Sequence, residues 1–129
     1  MNPDLEEAGP PPAVLEWRRM LAASHGLLIA SPEYGHSLPG SLKNAIDWAI
    51  GSGELERKVV AVTASTPHAE RGRLGLATLC STLNAVSAQI VGGHPLVRGA
   101  NLHRELVDLI TALVARIEEN EAAEALTSP

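Results

Sequence analysis

The stretch from residue 26 to residue 48 constrains the fold more than any other part of the chain, because it joins the end of a strand, a rigid polar loop and the start of a helix. Gly26, Leu27, Leu28, Ile29 and Ala30 form a short apolar run of the kind that a parallel strand covered on both faces requires. Ser31 and Pro32 then turn the backbone away, since the residue before a proline is held extended. After the loop, Pro39 suits the first turn of a helix, and Leu42, Ala45, Ile46 and Ala49 recur at helical spacing. A strand, loop and helix in this order place the loop outside the carboxyl end of a strand, where open α/β sheets bind ligands.

The same alternation continues along the chain. Residues 13–23 carry Val14, Trp17, Met20 and Leu21 on one helical face, and residues 58–63 are Val-rich and read as a second buried strand. A polar turn over residues 65–73 precedes a helix over 74–86, whose Leu76, Leu79, Cys80, Leu83 and Val86 make one stripe. A weaker strand is predicted at 89–91, a turn at Gly92, Gly93, His94 and Pro95, and a long helix from Leu102 to about Glu119 with Asn101 as its cap. Residues 1–12 read as a polar, Pro-rich surface loop. Residues 120–129 read as a frayed end, because acid near a helix C-terminus is unfavourable. Strands joined by single helices imply a parallel sheet with helices on both faces, in one domain over residues 1–129.

Composition removes several classes of function. The net charge is −5 and the ten Lys and Arg residues are scattered, so no basic stripe is available for nucleic acid. Trp17, Tyr34 and Trp48 are the only aromatic residues, which leaves no base-stacking platform and a core built from Leu, Val, Ile and Ala. The apolar runs are too short and interrupted for a membrane span. The single cysteine, Cys80, excludes an intrachain disulfide, fits a reducing, cytoplasmic compartment and falls on an apolar helix face as a packing residue. No Ser-His-Asp arrangement, pocketed carboxylate pair or Cys/His metal-ligand spacing is present.

Pro32, Glu33 and Tyr34, followed by Pro39, Gly40, Leu42, Lys43, Asn44, Ala45, Asp47 and Trp48, resemble the NADPH-dependent FMN reductase family of flavodoxin-like flavoproteins, which includes quinone and azo reductases. The likeness extends through Gly51, Ser52, Gly53 and Glu54, residues 58–62, and the turn at Ser65, Thr66 and Pro67. It implies a three-layer flavodoxin-like α/β fold with FMN and NADPH as cofactors. It also implies hydride transfer from the nicotinamide to the flavin, and then electrons to a quinone, azo compound, metal oxyanion or free flavin. Pro32, Glu33, Tyr34, Gly35, His36 and Ser65 would frame the flavin ring, Glu33 through its backbone. In such a site the cofactor does the redox chemistry and no side chain need be a dedicated acid or base. Where the family shows Asn or Ala, this chain has Gly35, and the glycines common at the second loop are replaced by Thr66, Pro67 and His68. Arg71 and Arg73 are candidates to attract an NADPH phosphate, although two arginines in a polar turn are more often a solvated pair.

The family's first strand and its Ser/Gly/Arg phosphate loop have no counterpart in the 129 residues. By resemblance, the chain corresponds to strands three to five with their helices, as in an N-terminally truncated domain. The strand at residues 26–30 is therefore expected at a sheet edge with apolar side chains uncovered, and FMN affinity is expected to be weak. The resemblance also implies a homo-oligomer, with the helix after Tyr34 as a contact surface. Two other readings are a non-catalytic remnant that acts by oligomerisation and a flavodoxin-type electron carrier.

Overall fold

The computed structural model describes residues 9–31, 39–66, 70 and 72–127. The elements follow in the order α1 (Pro12–Ala23), β1 (Gly26–Ala30), α2 (Gly40–Ile50), β2 (Val59–Thr63), β3 (Ser65–Thr66), α3 (Arg73–Ala85), β4 (Gln89–Gly92), β5 (Leu96–Val97) and α4 (Leu102–Thr127). β1, β2 and β4 form a parallel sheet in that spatial order, with Gly26 opposite Val59 and Val59 opposite Gln89. Single-helix crossovers force this parallel arrangement, as the alternating sequence pattern predicts.

Side chains alternate across the sheet and so divide the core in two. On one face Ile29, Val60 and Val62 pack with Leu21 of α1, Ile46 and Ala49 of α2, and Leu76, Leu79 and Leu83 of α3. On the other, Val59 and Ala61 pack with Leu113 of α4, and Val91, Leu109 and Ile117 complete the layer. The result is a three-layer α/β flavodoxin-like fold. Gly92 holds α4 close: its φ is +82°, and a Cβ there would lie 2.6 Å from Leu109 Cδ1 and 3.0 Å from the Val62 carbonyl oxygen. Only glycine accepts both that backbone and that approach.

α1 and α2 are joined by polar contacts that an Ala- and Leu-rich core would not supply. Trp17 Nε1 donates to the Ala45 carbonyl and Arg18 Nε to the Trp48 carbonyl, both at 2.8 Å. The Arg18 guanidinium also lies 5.8 Å from the Trp48 ring centroid, within cation–π range. At the other end of the sheet, Lys58 Nζ donates to the Ser24 carbonyl, and burial pushes the ammonium below its ordinary pKa.

Two features depart from the sequence expectation. The polar turn after β2 contains a strand: β3 pairs in parallel with β5, Ser65 opposite Leu96 and Thr66 opposite Val97. The predicted frayed end is helical instead, and α4 continues to Thr127. Ala122, Ala123 and Ala125 are strong helix formers, and Asn120 Nδ2 donates to Gln89 Oε1 at 3.2 Å, which ties the later part of α4 to the start of β4. Helix propensity and this anchor outweigh the unfavourable placement of acid. Of the expected N-terminal loop, Gly9, Pro10 and Pro11 are non-helical and Pro12 opens α1. No helix among the described residues is long and apolar enough to cross a membrane.

Candidate functional site

The carboxyl ends of β1 and β2 lie side by side and set the geometry of the site. Ser31, just past β1, is buried, and its amide donates to the Thr63 carbonyl at 2.9 Å. Thr63 ends β2, and its buried hydroxyl donates to the His94 carbonyl at 3.1 Å. Beyond it the chain is held extended by β5: the Leu96 amide donates to Ala64 and the Arg98 amide to Thr66, each at 2.8 Å. The segment after β2 is therefore a fixed platform.

Two helices begin at this end of the sheet. α2 starts after the buried Pro39, and α3 starts after Gly72, whose φ is +91°. A Cβ at Gly72 would lie 2.8 Å from Thr66 Cγ2, so glycine lets the start of α3 close against β3. Neither Pro39 nor Gly72 supplies a side-chain cap, and neither first turn carries an acid. Both positive helix ends thus keep their potential for an electron-rich group in the crevice.

Of the residues predicted to frame the ring, Pro32, Glu33, Tyr34, Gly35 and His36 lie outside the described residues, as does Arg71. Their loop is bounded by the buried Ser31 and Pro39 at the carboxyl end of β1. The Ser65 backbone belongs to β3 beside the same crevice. Arg73 opens α3 and lies 3.6 Å from Glu70, with both side chains exposed. The sequence reading gives His94 only as part of a turn with Gly92, Gly93 and Pro95. The structure places its turn at the carboxyl end of β4, bonded to Thr63. Its position immediately after a third parallel strand was the available signal. Thr63 and Thr66 are two further buried polar residues at this end.

The described part of the crevice suits the ring end of a flavin: a flat platform, two helix N-termini for an acceptor-rich edge and no carboxylate in the flanking first turns. Among the described residues, no group of three or more His, Cys, Asp or Glu side chains forms a metal cage. Cys80 packs beneath the turn after β4, where its Sγ would be 3.4 Å from a Cβ placed on Gly93, and burial pushes its thiol pKa up, away from thiolate chemistry. A separate cavity of about 400 Å³ opens at the amino ends of β1 and β2, where His25, Glu54, Arg57, Lys58 and Glu121 mix both signs of charge.

Comparison with known proteins points to the same chemistry. Residues 1–101 match the family model described as NADPH-dependent FMN reductase. An NAD(P)H-dependent FMN reductase of Pseudomonas aeruginosa is 43% identical over 76 residues, covering 59% of this chain and 40% of that protein. A quinone reductase of Pseudomonas putida is 36% identical over 74 residues, covering 55% and 40%. The chain therefore spans well under half the length of these curated relatives. Among solved structures, the flavoenzyme NAD(P)H:(acceptor) oxidoreductase FerB of Paracoccus denitrificans superposes with a TM-score of 0.79 at 28% identity, over 92% of this chain and 74% of FerB.

Proposed function

Because the chain belongs to the NADPH-dependent FMN reductase family, we propose that it forms the ring-binding part of an FMN-dependent oxidoreductase that takes hydride from NADPH and delivers electrons to a small acceptor such as a quinone. The observation that carries this reading is the crevice at the carboxyl ends of β1 and β2, flanked by two helix starts without acid. FMN, when bound, supplies the chemistry of accepting hydride and passing electrons on. The residues of the chain bind and orient it.

In this reading the amide ends of α2 and α3 offer positive potential to the pyrimidine edge of the ring. The loop carrying Pro32, Glu33, Tyr34, Gly35 and His36 forms one wall, with Tyr34 as its flat surface, and the Ser65 segment forms the other. Ser31 and Pro39 fix the two ends of the first loop, and the β3–β5 pair fixes the second. The family relation supports cytoplasmic placement, NADPH as the donor and association through α2 as parts of the same proposal.

An anaerobic titration with FMN followed by NADPH tests it. The expected result is a perturbed flavin absorption band that bleaches on adding NADPH faster than in buffer and returns with a quinone. An FMN spectrum unchanged by the protein contradicts the reading. Bound flavin that NADPH does not bleach favours an electron carrier.

A further inference from the structure

The acids of the chain are distributed unevenly. Glu54, Glu56, Glu121 and Glu124 line the cavity at the amino ends of the strands, whereas the sequence has no Asp or Glu between Glu70 and Glu105. That acid-free stretch supplies α3, β4 and β5, and it carries Arg73, His94, Arg98 and Arg104. In a chain of net charge −5, the β4 and β5 side of the carboxyl-end crevice therefore holds local positive charge and draws anions to it.

The short pairing of β3 with β5 brings two of these arginines to one residue. The Arg98 amide, just past β5, donates to the Thr66 carbonyl at 2.8 Å. Gly72 abuts the same threonine, since a Cβ there would lie 2.8 Å from Thr66 Cγ2, and Arg73 follows it as the first residue of α3. Thr66 thus has Arg98 on one side and the start of α3 on the other. Arg19, Arg73 and Arg116 each meet a glutamate three residues away. Arg98 is half-buried and, among the described residues, has no carboxylate within ion-pair distance. The Arg73 pair with Glu70 spans 3.6 Å between two exposed side chains, too weak to hold the guanidinium from a stronger acceptor.

We propose that Arg98, together with Arg73, binds a phosphate monoester, the 2′-phosphate of NADPH, and so selects NADPH over NADH. The inference deepens the proposed function and rests on its choice of donor. A guanidinium presents a planar fork of N–H groups that matches phosphate oxygens, and a dianion answers two positive charges where the ribose hydroxyl of NADH carries none. Arg98 follows β5 on the β4 side of the Ser65 segment, away from β1. It therefore stands outside the wall assigned to the flavin ring, and its contact is with a part of the donor remote from the reacting atoms. Arg98 is in this sense a specificity-determining residue.

Isothermal titration of the full chain with adenosine 2′,5′-bisphosphate and with 5′-AMP tests this without flavin or turnover. The bisphosphate is expected to bind about tenfold more tightly at low salt, and the gap should narrow as salt screens the charges. Arg98→Gln is expected to bring the two nucleotides to within about twofold, and Arg98→Lys to keep only part of the preference because the fork is lost. Arg116→Gln removes the same charge from the side of α4 paired with Glu119 and is the control that leaves the preference in place. A bisphosphate bound no better than 5′-AMP overturns the proposal. So does a preference that Arg98→Gln leaves intact or that Arg116→Gln removes equally. An Arg98→Gln variant that weakens FMN and spares the bisphosphate also overturns it, and assigns the arginine to the flavin phosphate. If Arg98→Gln fails to fold, the wild-type comparison and Arg98→Lys decide. A protein that passes these titrations and leaves the FMN spectrum unchanged supports the arginine site and counts against the flavin reading alone.

Discussion

β1 and β2 are both short, mainly apolar strands and meet different fates. β2 is buried along its whole length, with Val60, Ala61 and Val62 at 0% exposure. β1 buries only Ile29, while Leu28 is 38% exposed. Both strands have helices beside them, and β2 has a strand on each side. The burial of an apolar strand is therefore set by its neighbours in the sheet, and its own sequence records only what it is able to bury.

Substitutions graded along this contrast test it. Leu83→Ala, at a fully buried α3 position in the cluster with Val60 and Val62, is expected to destabilise by about 3–4 kcal/mol in urea unfolding. A loss under 1 kcal/mol would mean that the β2 side is not the stabilising half. Gly92→Ala must strain a φ of +82° and displace Leu109. The same measurement should show a loss of about 1–3 kcal/mol, with α4 loosened in hydrogen exchange. On the open side, Leu27→Ala is expected to lose roughly 1–2 kcal/mol, because Leu27 is only half-buried. If it matched Leu83→Ala, the β1 and β2 ends of this one core cluster would be equivalent. Leu15→Gln, at a position 52% exposed, should fall within about 0.5 kcal/mol of the parent.

The smallest effect concerns Cys80. Its pKa is raised by burial, so the unfolded chain loses the thiol proton first as pH rises. Its contribution to stability is full below the ordinary thiol pKa and fades as pH climbs through the raised folded value. At neutral pH, iodoacetamide should alkylate it more slowly in the folded protein than in urea; equal rates would place it outside the core.

The strands at residues 26–30 and 59–63 were legible because short apolar runs between helical patterns, Val-rich in the second, have few other readings. β3 and β5 were not legible: two-residue strands carry no periodicity, and their pairing depends on where β2 and β4 end. The end of α4 was misread because residues 120–127 lack an apolar stripe, while the Asn120–Gln89 bond that ties this region down is a long-range contact. At the site, the sequence motif points to loop residues 32–36, which lie outside the described residues. The platform formed by Thr63, Thr66, Gly72 and the His94 turn needed the fold, since none of these belongs to a local pattern that implies a ligand.

Backbone amide shifts recorded by heteronuclear NMR during an FMN titration test the central claim most directly, that the flavin ring sits at the carboxyl ends of β1 and β2. The account predicts that the amides of Ser31, Gly40, Thr66 and Gly72 move together with increasing FMN, while His25, Arg57 and Asn120 at the opposite end of the sheet stay still. Shifts confined to that opposite end, around the charged cavity, or none at all at millimolar FMN, would contradict it.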